Sequence, residues 1–103
     1  MSIENVNVKL EVMARRFNAI SHVNRLAIFE LLVRSGIKGL CVGDILREQN
    51  LKAAGLTFHL KILSDAGLVS SRRQGRYTCY TASFKAMNEV ISYLAINCMY
   101  SSA

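Results

Sequence analysis

Along this chain the apolar period changes once, at Gly67, and changes back at Ser83. Before Gly67 the apolar residues recur at helical spacing, and after Ser83 they do so again. Between them lie Leu68–Arg73 and Arg76–Ala82, rich in Val, Ser, Thr and Tyr and separated by Gln74-Gly75. That is a two-residue hairpin signal, flanked by Arg72, Arg73 and Arg76. The expected architecture is therefore mainly α with a small β-hairpin: helices, one basic hairpin, and a closing helix.

Local patterning divides the helical part. Val6, Leu10, Met13, Phe17 and Ile20 form a narrow seam at spacings of 4, 3, 4 and 3, which predicts a first helix. Ser21 is placed to cap a second, carrying Leu26, Phe29, Leu32 and Val33 as far as Gly36. Leu40 and Cys41 lead into a short third helix, Val42 to Asn50. Ala53 to Ala66 forms a fourth, with Leu56, Leu60 and Leu63 on one face and Gly67 as its stop. Phe84, Met87, Ile91, Leu94 and Cys98 give the fifth a seam of its own, followed by a polar Ser101-Ser102-Ala103 tail.

One core is all that 103 residues allow, so residues 1–103 are expected to form a single domain. With 51% hydrophobic and 19% charged residues, the chain can offset its ordering entropy and fold. It has no apolar run of the roughly 20 residues a membrane span requires. Glu4 and Asn5 stand where a signal peptide would be apolar. A cytoplasmic protein with no membrane partner is expected. Thirteen Lys and Arg against seven Asp and Glu give a net charge of +6, the profile of a domain that meets polyanions. The three cysteines, Cys41, Cys79 and Cys98, are far apart and form no CxxC pair. Reduced thiols are expected, with neither a disulfide framework nor a structural zinc site.

Two short helices joined tightly and followed by an arginine-tipped hairpin suit DNA. In a helix-turn-helix the second helix enters the major groove, and polar side chains near its N-terminus reach base edges. The fourth helix fits that role, and the hairpin would be a wing on phosphate or in the minor groove. The residues also carry a family likeness. His22-Val23-Asn24-Arg25-Leu26, the run Leu56-Thr57-Phe58-His59-Leu60-Lys61-Ile62-Leu63, and Ala66-Gly67-Leu68-Val69 resemble the ArsR/SmtB family of winged-helix repressors. Gln74-Gly75-Arg76 with Tyr80 resembles the family's wing. Met87-Asn88, Tyr93-Leu94 and Asn97-Cys98 resemble the last helix of its arsenic-responsive branch. The likeness runs over about residues 10–99, and it implies a winged helix-turn-helix of five helices plus a wing.

That resemblance implies a homodimer on an inverted-repeat operator of double-stranded DNA. The seams point the same way, because both terminal helices carry more apolar surface than one small core needs. Leu10, Met13, Phe17, Met87, Ile91 and Leu94 are the expected interface. Ala54, Thr57, Phe58, His59 and Lys61, with Arg72, Arg73 and Arg76, are the expected DNA-binding set. Thr57 and His59 would serve base edges or phosphate, and Lys61 and the arginines would carry the salt dependence. His59 has a second reading, as a structural histidine that donates to a backbone carbonyl inside the dimer. No nucleophile motif, close acid pair or phosphate-cradling glycine loop is present, so an enzyme is not expected.

Members of the resembled family often release DNA when a soft metal or metalloid binds thiolates, and this sequence keeps one thiol of each of two such layouts. Cys41-Val42-Gly43-Asp44 stands where the family has Cys-Val-Cys-Asp, and Asn97-Cys98-Met99 where it has a Cys-Cys pair. The resemblance thus implies As(III) as inducer at Cys98 and Cys41, although three-coordinate arsenic wants three sulfurs. Cys41 also occupies the capping position of the third helix, where a thiol can be shifted toward thiolate. A redox-responsive repressor, a repressor without a ligand response, and a winged-helix protein-interaction module are the alternatives.

Overall fold

The computed structural model describes residues 3–101. The elements run α1 (Ile3–Ile20), α2 (Val23–Ser35), a 3-10 turn (Gly36–Lys38), β1 (Leu40–Cys41), α3 (Val42–Gln49), α4 (Ala53–Asp65), β2 (Val69–Gln74), β3 (Tyr77–Ala82) and α5 (Phe84–Ser101). These are the five helices and the wing expected from the sequence. The side chain of Val6 and residues 102–103 lie outside the described part.

Several helix ends follow directly from local chemistry. Ser21 does not cap α2: its hydroxyl donates to the Asn18 carbonyl at 2.8 Å, closing α1 instead. The cap is His22, in extended conformation, whose Nδ1 accepts the Asn24 N–H at 3.1 Å. Reaching the second N–H of the helix is what a capping acceptor must do. At the end of α4, Leu68 N–H donates to Leu63 and Gly67 N–H to Ser64. This is the paired C-terminal closure in which the residue after the glycine packs back on the helix. Leu68 is buried, so the helix stop also starts the core-facing end of β2.

The sheet has a strand that the sequence did not reveal. Its order is β1-β3-β2, all antiparallel. β1 is two residues long, too short for any period to register, and its partner in β3 lies about 40 positions on (Leu40↔Tyr80). The β2–β3 turn is also one residue later than expected. Gln74 pairs with Tyr77, leaving Gly75-Arg76 as the turn, which puts glycine first in the loop.

That third strand overturns the expectation for the thiols. Cys41 faces Cys79 across β1 and β3, and the two are joined as a disulfide. Linear spacing hid the pair because only the β1–β3 register brings the residues together.

The core lies among α2, α3, α4 and the start of β2. Ile28, Leu32, Ile45, Leu56, Leu60, Leu63 and Leu68 are the large side chains fully enclosed there, with Ala82 and Ala86 sealing it from β3 and α5. Each buried leucine of this kind contributes about 2–5 kcal/mol against truncation to alanine. The terminal helices dock more sparingly. On α5 the inward residues are Ala86 and Val90, with Met87 partly buried, whereas Ile91 and Leu94 from the predicted seam are exposed. On α1, Met13 and Ala19 are buried and Leu10 is exposed. Arg16 joins the two helices, its guanidinium donating to the Ala86 carbonyl at 3.5 Å and facing Glu89 at 3.7 Å. Among the described residues, no helix is long and apolar enough to cross a membrane.

Candidate nucleic-acid interface

α3 and α4 are joined by Asn50, Leu51 and Lys52. Asn50 ends α3 in the left-handed conformation (φ 51°, ψ 44°), its N–H donating to the Leu46 carbonyl at 2.9 Å. Asparagine tolerates this region better than most side chains, and the reversal turns the chain sharply into α4. α3 itself starts at Cys41, and Asp44 reaches back to the Cys41 N–H at 3.4 Å. The carboxylate thereby satisfies a donor at the positive end of the helix.

α4 has two faces. Leu56, His59, Leu60 and Leu63 are buried, and Ala53, Ala54, Thr57, Phe58, Lys61 and Asp65 are exposed. The Thr57 hydroxyl donates to the Ala53 carbonyl at 3.0 Å, which leaves its lone pairs outward as acceptors. Phe58 keeps 60% of its surface in solvent, uncommon for an aromatic ring with no apolar cover. Lys61 pairs with Asp65 at 3.2 Å, an exposed helix pair that contributes only a few tenths of a kcal/mol and opens easily.

Of the expected contacts on α4, His59 alone is turned inward. Its ring is 8% exposed and tilts against His22, with centroids 4.8 Å apart. Its Nδ1 lies 3.4 Å from Arg25 Nη1. Arg25 is buried too, and its Nε donates to the Ala19 carbonyl at 2.6 Å. Since guanidinium can only donate, Nδ1 is the acceptor and the ring is neutral with its proton on Nε2. Burial, then the neighbouring His22 and Arg25, push the His59 pKa below its ordinary value. The histidine therefore positions α4 on α1 and α2. The sequence left a structural role open, but as a donor to a backbone carbonyl; the partner seen is Arg25, not foreseen because an arginine at a helix start reads as a solvated charge.

The wing presents its cations unequally. From Ser70 to Tyr77 every residue is exposed. Arg72 Nη2 donates to the Lys38 carbonyl at 2.7 Å, fastening β2 to the 3-10 turn. Among the described residues, Arg73 and Arg76 have no ion-pair partner, whereas Arg34, Arg47 and Lys61 are each paired to an acid of their own helix. Tyr77, 69% exposed beside the tip, was not among the expected contacts, having been read only as a strand residue.

The remaining expected residues fall as follows. Leu10, Ile91 and Leu94 are exposed, Phe17 and Met87 are half-buried, and Met13 packs inside its own chain. Cys98 is exposed on α5, and Cys41 is bound to Cys79. Among the described residues, no three His, Cys, Asp or Glu side chains gather as a metal site would require.

The geometry has counterparts among known proteins. Residues 20–72 match a family of helix-turn-helix domains. The HTH-type transcriptional regulator YgaV of Escherichia coli is 30% identical over 92 residues, covering 89% of this chain and 91% of the relative. The arsenical resistance operon repressor of Bacillus subtilis is 30% identical over 78 residues, covering 76% and 72%. In fold, the chain is similar to an ArsR family transcriptional regulator (TM-score 0.78, 20% identity, 90% and 93% covered). It is also similar to the homodimeric winged helix-turn-helix DNA-binding domain of a possible ArsR-family regulator from Mycobacterium bovis (TM-score 0.72, 24% identity, 99% and 88% covered). With helix pair, recognition-type helix and basic wing in this order, the chain belongs to the ArsR family of winged helix-turn-helix transcriptional regulators, a family of DNA-binding proteins rather than enzymes.

Proposed function

We propose that this regulator is a repressor that binds an inverted-repeat operator as a homodimer, inserting α4 of each copy in successive major grooves. The observation that carries the reading is the division of α4: a fully enclosed leucine face and an outer face of Ala54, Thr57, Phe58 and Lys61. Thr57 accepts from a base edge, Phe58 lies against a thymine methyl, and Ala54 allows close approach. Arg73 and Arg76 neutralise phosphates or enter a narrow minor groove. Arg72 and Lys61 add charge, while His59 holds α4 in place from beneath.

The single domain dimerises through α1 and α5. Leu10, Ile91 and Leu94 keep about half of their surface exposed (46%, 55% and 47%), a cost to a soluble monomer that a second copy removes. The Mycobacterium bovis relative is homodimeric, which supports this. In a two-fold dimer the recognition helices stand about 34 Å apart, one turn of DNA. For release, the finer reading is a thiol-binding metalloid such as arsenite acting at Cys98, and at Cys41 once its disulfide with Cys79 is reduced, supported by the similarity to an arsenical resistance repressor. A three-sulfur site would draw on the partner chain.

Titration of the duplex upstream of the protein's own gene, against a random duplex of equal length, tests the reading. We expect preferential binding, with Arg73→Ala and Arg76→Ala weakening both duplexes and lowering the salt slope by about 1 each. Thr57→Ala lowers the preference and leaves the slope. Equal losses from all three variants on both duplexes refute the assignment of α4. Arsenite is expected to release the complex in the unmutated protein and not in Cys98→Ser.

A further inference from the structure

We propose that the Cys41–Cys79 disulfide is an exchange site for an anionic low-molecular-weight thiol, and that opening it frees the wing from the helix-turn-helix. The consequence for DNA rests on the repressor reading above; the exchange chemistry does not.

The two sulfurs are unequally accessible. Cys79 is 1% exposed, and Cys41 is half-buried at the first turn of α3. Cys41 lines two clefts. The larger, about 440 Å³, is bounded by Lys38, Asp44, Arg72 and Gln74, and the smaller, about 270 Å³, by Gly43, Arg47 and Tyr77. The larger falls in the range of small-molecule sites, about 300–1,000 Å³. Two cations face one carboxylate there, and Asp44 is already paired with Arg47. A thiol carrying a carboxylate or sulfonate suits that charge, and a cationic thiol does not.

Exchange proceeds by attack of the thiolate on Cys41 Sγ. A sulfur–sulfur bond forms between the small thiol and Cys41, and the Cys41–Cys79 bond breaks with its electron pair on Cys79. That sulfur takes a proton from water. It lies 3.4 Å from the Gln74 carboxamide oxygen, an acceptor ready for the new S–H. A second thiolate then attacks the small molecule's sulfur, releasing the Cys41 thiolate and a small-molecule disulfide. Two thiols are oxidised and one protein disulfide is reduced.

β1 pairs with β3 through two residues, Leu40↔Tyr80 and Cys41↔Cys79, and the disulfide fixes the second of these to the start of α3. Once it opens, the wing is held by that short ladder, by the Arg72–Lys38 hydrogen bond and by side-chain packing. A wing fixed in advance binds DNA at less ordering cost, so the disulfide form is the tighter binder.

The test uses Cys98→Ser, which retains only this pair of cysteines, oxidised with a small-molecule disulfide and then alkylated with a maleimide for mass spectrometry. We expect no alkylated thiols before reduction and two after it. Mercaptoethanesulfonate should open the bond several-fold faster than cysteamine at equal thiolate concentration, with Lys38→Gln reducing that ratio. Two alkylated thiols in the oxidised protein, equal rates for the two reagents, or a peptide map of the unmutated protein joining Cys41 to Cys98 would each overturn the site. On the operator, reduction of Cys98→Ser should weaken binding several-fold, and further Cys79→Ser should abolish the difference. An affinity indifferent to reduction overturns the switch. Failure of both forms to bind DNA would refute the repressor reading, and the thiol counts would still decide the exchange site.

Discussion

Gly36 and Gly39 offer a matched pair of substitutions that isolates the attachment of β1. Both lie in backbone regions that glycine alone occupies readily, Gly36 at φ 65°, ψ −152° and Gly39 at φ 68°, ψ −165°. Alanine at either position therefore carries a similar backbone strain, about 1–3 kcal/mol. Their surroundings differ. A Cβ on Gly36 meets nothing within 4 Å, whereas one on Gly39 runs into the Tyr80 carbonyl oxygen and stands 2.7 Å from Thr81 Cγ2. Neither obstacle is the loose end of a long side chain, so β1 must move off β3. Loss of the short β1–β3 ladder removes about two backbone hydrogen bonds at roughly 1 kcal/mol each. Gly39→Ala should thus lose about 2 kcal/mol more than Gly36→Ala. Urea unfolding at one fixed protein concentration, in reducing buffer so that the disulfide does not mask the change, reads this as a shift in midpoint at constant slope. Losses equal to within about 0.5 kcal/mol would refute the reasoning, because strain would then be the whole effect and the Tyr80 contact none of it.

Other outcomes follow from the same structure. His59 has a folded pKa below the roughly 6.5 of an unfolded chain, so between the two values the unfolded chain binds more protons. Stability should hold above about pH 7, fall as the pH drops through 6.5, and stop falling on this account below the folded pKa; His59→Gln should flatten that segment, and an unchanged pH profile would count against a buried neutral ring. Leu56→Ala, in the enclosed face of α4, should cost about 3 kcal/mol in urea unfolding, and a loss under 1 kcal/mol would show that the core collapses around it. Ile91→Glu, on the exposed side of α5, should give monomers by sedimentation at micromolar concentration while a persisting dimer would move the interface elsewhere.

Reading the chain alone placed the five helices and the hairpin because each announces itself within ten or so residues. A leucine stripe shows α4, and the change of period at Gly67 shows β2. Relations across the chain were the illegible part. Nothing near Leu40 signals a strand, since its partner Tyr80 lies on the far side of two helices, and the disulfide was lost with it. Ser21 is a better cap than His22 by residue preference, yet geometry gave the cap to His22. His59 was misplaced for a similar reason. A polar residue between Phe58 and Leu60 looks solvated until Arg25 and His22 are seen to enclose it. The apolar seam on α5 and the outward place of Ile91 and Leu94 are legible, but not that Ala86 and Val90 make the inward side of the helix.

The β1–β3 pairing also bears on the order in which the molecule assembles. Tyr80 follows Leu40 by 40 residues, and α3, α4 and β2 all lie between. The β2–β3 hairpin is a local structure that closes in microseconds. The third strand must wait until the intervening helices are compact, because an open chain of that length makes the encounter entropically remote. β1 is thus a late arrival in folding, and its non-local contact slows the final step. Conversely, β1 cannot peel away without loosening the start of α3. With the disulfide closed, wing and helix-turn-helix therefore open together, as one cooperative unit in amide exchange, and a proteolytic fragment holding either alone lacks the surface that the other supplies.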